Sequence, residues 1–256
     1  MSHPLDGPRA KVERANHHIR DLVTAVGEFR RVNPDVFIHE HDAKSKEWVI
    51  RANIRRQPNS RVSTALGDAV HNLRSALDIL ACQFVETAGN PVTKHTGFPI
   101  GDGSGKYETY ARRKVKGARK EAVQFVLGAE AYPGGNDFLV ALNEVDILDK
   151  HRLLLTVVSA SHGLIATTDG IRHQFLPFPD NIAISLEHGE EVMRLAEKPY
   201  AIIFDPKKNV QLVAEIAFGD TEIVMGNPIV PFLLQMSQWI GEYIERAAPL
   251  FELSHD

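Results

Sequence analysis

Two stretches of this sequence carry polar side chains at spacings that could do chemistry. The first is GDAVHNLRSALDILAC, residues 67–82. At about 100° per residue on a helix, Gly67, His71, Arg74, Ser75, Asp78 and Cys82 fall on one side. An apolar stripe of Val62, Leu66, Ala69, Leu73, Leu77, Leu80 and Phe84 falls on the other. Solvated helix faces favour Lys and Glu, and this one has neither. Its Gly, Ser and Cys are small enough to admit a close neighbour. Its Arg and Asp would demand partners if buried. The face therefore reads as a packed polar network, a functional site, or plain solvated surface. The second stretch is LNEVDILDKHRLLL, residues 142–155. Glu144 and His151, seven apart, share a helix face with Asn143 and Lys150 nearby. Asp146 and Lys150 read most simply as an i,i+4 surface ion pair. Asp149 lies on another face and reads as a helix-packing residue.

If the two polar faces meet, His71, Arg74, Asp78, Glu144, Lys150 and His151 form one pocket. His71 and His151 would be the acid–base groups, since imidazole titrates near neutral pH. Asp78 and Glu144 would orient them or act as the second carboxylate. Arg74 and Lys150 would stabilise developing charge. Such a set suits a hydrolase of a phosphodiester, ester or glycoside-like bond, and paired carboxylates suit the last. A metal held by His71, Asp78, Glu144 and His151 is the weaker expectation, because neither HExxH nor a Glu-x-x-His pair is present. No metal or cofactor is assigned.

A different chemistry attaches to residues 106–120. Seven Lys or Arg stand there against one acid, Glu108. Arg112, Arg113 and Lys116 are the candidates to bind an anionic ligand, with nucleic acid or a nucleotide in view, and Tyr107 and Tyr110 add stacking groups. The plain alternative is a solvated face that balances acids elsewhere. Just before it, Gly101–Lys106 evokes a phosphate loop, but Ile100 occupies the first glycine position and Tyr107 the Ser/Thr position. It reads as a connector. His39 and His41 share a strand face at a spacing that can hold a metal, and an exposed hairpin face explains them as well. Cys82 sits mid-helix and reads as a small packing residue. No GxSxG elbow occurs.

The pair HNLRSALD and LDKHR resembles a group of uncharacterised bacterial proteins that carry both signatures on long helices. The first motif also resembles the signature helix of HEPN ribonuclease and nucleotide-binding domains, which pair an Arg with a His about five residues later. Arg74 and Ser75 match that pattern; the His position is Ile79. The resemblance implies a helical bundle that self-associates, without the family's catalytic histidine.

These residues must be positioned by a small set of elements. A stripe of Val12, Ala15, Ile19, Leu22, Val26 and Phe29 predicts a first helix, with Asp6 as its cap and Asn33-Pro34 as its end. Residues 35–55 read as a β-hairpin turning at Asp42–Ser45, with Trp48, Ile50, Ala52 and Ile54 on one face. Further helices are expected over 62–86, 107–128 and 137–158. Short segments at 164–167, 171–175, 182–186, 192–195, 201–204 and 210–218 read as antiparallel strands. Ile229, Leu233, Met236, Ile240, Tyr243 and Ala247 mark a last helix that returns to the bundle. The fold expected is α+β in a single domain: about five long helices with an antiparallel sheet mostly from residues 163–226.

Length and composition fit this. The chain has 256 residues, 43% hydrophobic and 24% charged, which suits a globular core rather than disorder. One cysteine excludes an internal disulfide framework. No apolar run reaches a membrane span and no leader is legible, so a cytoplasmic protein without a membrane partner is expected. The net charge of −4 argues against a generally basic nucleic-acid binder but leaves a local patch open. Three functions are thus in view: a hydrolase, a nucleic-acid or nucleotide-binding HEPN-like module, and a structural or assembly protein, the last two compatible with a homodimer.

Overall fold

A computed structural model describes residues 3–151, 154, 156–168, 171–177, 186–196, 210–219, 224 and 227–252. The architecture is α+β, as expected. The chain divides into two compact units with interleaved segments: residues 1–23, 63–154 and 230–256 in one, 24–62 and 155–229 in the other.

The first unit is helical. Its frame is α1 (Asp6–Val32, of which the part to Val23 belongs here), α2 (Ser60–Glu86), α3 (Ser104–Lys114), α4 (Lys120–Leu127) and α5 (Asp137–His151). It closes with α6 (Ile229–Arg246) and a short α7 (Pro249–Glu252). Every apolar stripe residue named for α2 is buried, and so are Ala65, Val70, Ala76, Ala81 and Val85. Burial reaches well around the helix, so α2 is packed on more than one side. A fully buried Leu contributes roughly 1.5–3 kcal/mol, which makes α2 the central support of this unit. The return of the last helix is as expected. Ser237 donates to Asn16 Oδ1 at 2.7 Å, Arg9 grips Glu245 with two hydrogen bonds, and the Tyr243 hydroxyl donates to Phe125 O at 3.1 Å. Burial pushes the Tyr243 hydroxyl far above its ordinary pKa, so it is a fixed donor. At the other end, Asp6 opens α1 and accepts from the His3 N–H at 2.8 Å, rather than standing outside the helix as its cap.

Two helices are shorter than their periodicity predicts. The segment 107–128 is two helices, not one, because the chain breaks at Val115–Arg119. Gly117 there has φ +99°, a left-handed value that suits glycine. Asn90 Nδ2 donates to Gly117 O at 2.8 Å, and a Cβ at 117 would press on the Asn90 side chain at 3.0 Å. The segment 137–158 is helical only to His151; from Thr156 the chain runs as a strand. Thr156, Val157 and Val158 explain the switch, since β-branched side chains favour the pleated sheet.

Among the described residues the second unit holds two three-stranded antiparallel sheets. In one, β1 (Phe37–Asp42), β2 (Glu47–Ala52) and β5 (Glu191–Ala196) lie in that order. In the other, β4 (Ile171–Pro177), β3 (Thr156–Thr168) and β6 (Val210–Phe218) do. The hairpin expected at 35–55 is therefore part of a sheet completed by a distant strand, and the sheet residues are not confined to 163–226. Asp42 Oδ1 closes its turn by accepting from the Lys44 N–H at 2.9 Å. The strands expected at 182–185 and 201–204 lie outside the described residues.

Asn33 ends α1 by hydrogen bonding rather than by sterics alone. Its side chain is buried at 2% exposure; Oδ1 accepts from the Arg55 and Arg56 N–H groups and Nδ2 donates to Phe29 O. Asn33→Ala leaves two backbone donors unpaired and should cost about 2–3 kcal/mol in urea unfolding. Asn33→Asp, which keeps the acceptor, should cost less; equal losses would show that the bonds to Arg55 and Arg56 contribute nothing.

Candidate functional site

The polar faces of α2 and α5 do meet. His71 Nδ1 lies 3.2 Å from Asp146 Oδ1, and Arg74 Nε donates to Asn143 Oδ1 at 3.3 Å. The contact does not assemble the six residues into one pocket. It sorts four of them into two clusters, His71 with Lys150 and Arg74 with Asp78.

The first cluster centres on Asp146. Its side chain is only 2% exposed, and it takes Lys150 Nζ on one oxygen and His71 on the other. The surface ion pair expected from the i,i+4 spacing is thus part of a triad in which the carboxylate is buried and its two partners are exposed. His71 itself is 55% exposed on its side chain, with the Ser75 hydroxyl 3.5 Å from Nε2. The second cluster centres on Arg74, whose side chain is 12% exposed. Its Nη1 lies 2.8 Å from Asp78 Oδ1 as an ion-pair contact, and Nη2 donates to Phe98 O at 3.0 Å. Asp78 Oδ1 in turn accepts from the Phe98 N–H at 2.8 Å. Arg74 and Asp78 therefore hold the backbone of residue 98 at both its N–H and its C=O. Gly97 makes this approach feasible, because a Cβ there would stand 2.8 Å from the Asp78 carboxylate.

Glu144 and His151 join neither cluster among the described residues. On α5, Asn143, Asp146 and Lys150 point toward α2, and Glu144 lies roughly 100° around the helix from Asn143. The pocket expected from His71, Asp78, Glu144 and His151 is corrected accordingly: the carboxylate opposite His71 is Asp146, and His151 is exposed at the helix end. Asp149 packs as expected. Its carboxyl group lies directly over Gly67, where a Cβ would overlap it. Partial burial, then the nearby Asp68 and Asp146 charges, push its pKa up. Cys82 is half-buried and its thiol is pushed up by burial first and by Asp78 and Glu86 next, which suits packing rather than nucleophilic attack.

The concave surface lies elsewhere, on both sides of α3. One groove of about 630 Å³ is lined by the 101–105 turn with Asp102, Lys106, Tyr107, Tyr110 and Arg113. A second of about 730 Å³ is lined by His95, Thr96, Tyr110, Arg113, Lys114 and Lys116. Tyr110 and Arg113 belong to both and form the ridge between them. The Arg113 guanidinium sits 5.5 Å and Lys114 Nζ 6.0 Å from the Tyr110 ring centroid, within cation–π range. Tyr107, expected to stack a ligand, is instead buried: its hydroxyl donates to Val126 O and its ring leans on Tyr132 at 5.0 Å. It binds α3 to α4 and leaves Tyr110 as the accessible ring. Arg112 lines neither groove and is held by Glu108 at 2.7 Å. His95, Thr96, Lys106 and Lys114 were not singled out by the sequence. Lys106 and Lys114 lay in the basic run, while His95 lay in a Gly/Pro-rich segment that gave no signal.

His39 and His41 lie on β1, where the His41 ring packs edge-on against its cross-strand partner Trp48 at 5.2 Å. No helix among the described residues is long and apolar enough to cross a membrane. Compared with protein-family models, with curated proteins and with solved structures, the chain matches none.

The α2–α5 contact makes a pH-dependent prediction. The folded protein holds the Asp149 proton to higher pH than the unfolded chain. Its contribution is therefore fully present below the usual aspartate range and is lost as pH rises through that range to the raised folded value. Asp149→Asn should raise the melting temperature at pH 7, with the gain shrinking as pH falls, so that the acid limb of its Tm-against-pH profile is steeper than in the wild type. An unchanged profile would show that Asp149 is solvated rather than packed.

Proposed function

We propose that this protein binds nucleic acid or a nucleotide through α3 and the segment 90–101, as a module without catalysis. The observation that carries the reading is the shared ridge. Two adjoining grooves are lined by Lys106, Arg113, Lys114 and Lys116, with one carboxylate, Asp102, and an accessible aromatic ring between them. Cations track phosphates, and every base has a face that stacks on tyrosine. The carboxylate–histidine clusters support the same reading from the other side. Arg74 and Asp78 are engaged with the backbone of Phe98, and Ile79, at the HEPN histidine position, packs against Gly7 at 3.2 Å from where a Cβ would stand. These groups serve the fold that displays α3.

Charge reversal tests it. Arg113→Glu with Lys116→Glu should weaken binding of a labelled oligonucleotide at least about tenfold at low salt and reduce the salt slope. Arg112→Glu should leave both near wild type, because Arg112 already answers Glu108. A loss from Arg112→Glu at least half as large, on a logarithmic scale, as that from the double reversal would mean net charge alone matters and would remove the grooves from the account.

A second reading, a hydrolase, rests on one alignment: Ser75 Oγ, His71 Nε2 and Nδ1, and the buried Asp146 carboxylate follow one another at 3.5 and 3.2 Å. A carboxylate that fixes the imidazole tautomer leaves Nε2 to accept a proton from a hydroxyl or water. If this is the chemistry, His71→Ala should lower turnover of a chromogenic ester by about 10²–10⁴-fold with Arg113→Glu harmless. Wild-type turnover no faster than buffer, or unchanged in His71→Ala, would dispose of it.

A further inference from the structure

The two grooves differ in a way that names the ligand. We infer that the ligand is a single nucleic-acid strand bound by its phosphorylated end, with the terminal phosphate among Arg113, Lys114 and Lys116 and the adjoining nucleoside at Tyr110 beside Asp102. This rests on the nucleotide-binding reading above and adds which part of the ligand each groove takes.

The second groove has no carboxylate in its lining. Three cationic side chains converge there, with His95 beside them. Two threonines add a hydroxyl donor. Thr93 Oγ1 accepts from the His95 N–H at 3.2 Å and Thr96 Oγ1 accepts from the Thr93 N–H at 3.1 Å. The two hydroxyls stand 3.3 Å apart, so one donates to the other and one O–H is left over. The site is held in shape by Asn90, which ties the Gly117 turn to the 90–96 segment. A phosphodiester carries one negative charge; a terminal phosphomonoester carries about −1.5 to −2 at pH 7 and three acceptor oxygens. Three cations and a free hydroxyl donor in one carboxylate-free groove match the monoester.

The first groove is built for the neutral part of a nucleotide. Asp102 repels a second phosphate but accepts from a sugar hydroxyl or an exocyclic amino group. Only one strong cation, Lys106, enters besides the shared Arg113. Tyr110 stands on the ridge, where a base stacked on its ring keeps its phosphate within reach of the second groove. A duplex end keeps the Watson–Crick edge of its last base engaged with the complement, whereas a single strand leaves that edge open to Asp102.

The test uses the full chain and single strands of about 12 nucleotides, labelled at one end and carrying either a hydroxyl or a phosphate at the other, read by fluorescence anisotropy. The terminal phosphate, at the 5′ or the 3′ end, should tighten binding at least about tenfold, a free-energy gain in the range of charge-assisted hydrogen bonds. Lys116→Ala should remove most of that advantage, weakening the phosphorylated strand much more than the unphosphorylated one. Tyr110→Ala should weaken both strands by a similar factor, and melting curves should show both variants folded. Equal binding of the phosphorylated and unphosphorylated strands at both ends would overturn the inference and leave the broader nucleic-acid reading standing. An advantage that survives Lys116→Ala combined with Lys114→Ala would also overturn it. Failure of every strand to bind would overturn both.

Discussion

A loop that runs over a helical unit must find partners for its backbone N–H and C=O groups, and for residue 98 both come from α2. Asp78 takes the Phe98 N–H and Arg74 gives to the Phe98 carbonyl. Phe98 can then be fully buried, with its ring edge-on to Tyr243 at 5.7 Å. The glycine before it allows the carboxylate to come this close. From this anchor the chain runs back to Asn90, along residues that line the second groove opposite α3, and on to Gly101, where the lining of the first groove begins. An arginine whose side chain is 12% exposed is costly unless paired; here Nε and Nη2 are hydrogen-bonded, and Nη1 has the Asp78 carboxylate as an ion-pair contact without a hydrogen bond. Removing either member would strand the other against a buried peptide, so the anchor acts as a unit.

The Asp146 cluster does similar work between α2 and α5 with a different distribution of exposure. The carboxylate is buried while both of its cationic or titratable partners are more than half exposed. Solvent therefore reaches His71 and Lys150, and the energetic penalty is concentrated on one oxygen-bearing group with two partners. One turn further on, Asp149 lies over Gly67, with its proton held more tightly than in water. Small residue, close carboxylate and buried carboxylate together let the two helices approach along a polar seam.

Much of the scaffold was legible in the sequence, because long helices repeat their apolar residues over many turns. The stripes of α1, α2 and α6 were read residue by residue, and each is buried as expected apart from the partly exposed Val12. The polar face of α2 was readable as unusual from the lack of Lys and Glu. Its partners were not, since periodicity fixes which side of a helix a residue occupies but not what stands opposite. That is why Glu144 was preferred to Asp146, which an i,i+4 lysine disguised as a surface pair. The breaks at Val115–Arg119 and after His151 were missed for a related reason. A single glycine inside a helical pattern is common, and only the Asn90 hydrogen bond shows that Gly117 turns the chain. The grooves were half legible: the basic run marked their floor, while His95 and the threonines come from a segment whose composition said only loop.

The order in which the segments alternate between the two units has a consequence for synthesis. The chain passes from one unit to the other four times, and the segment carrying α6 is made after both segments that carry the strands. Tyr243, Ser237 and Glu245 supply partners to residues near positions 125, 16 and 9. A nascent chain that already contains every cation of the α3 grooves still exposes the apolar surfaces that α6 will cover. The helical unit can therefore be completed only once α6 has been made, and its early intermediates present apolar helical faces for the whole time the strands are being made. Neither unit is a contiguous stretch that could be exchanged or inherited alone, so insertions are best tolerated in surface turns and not at the crossings.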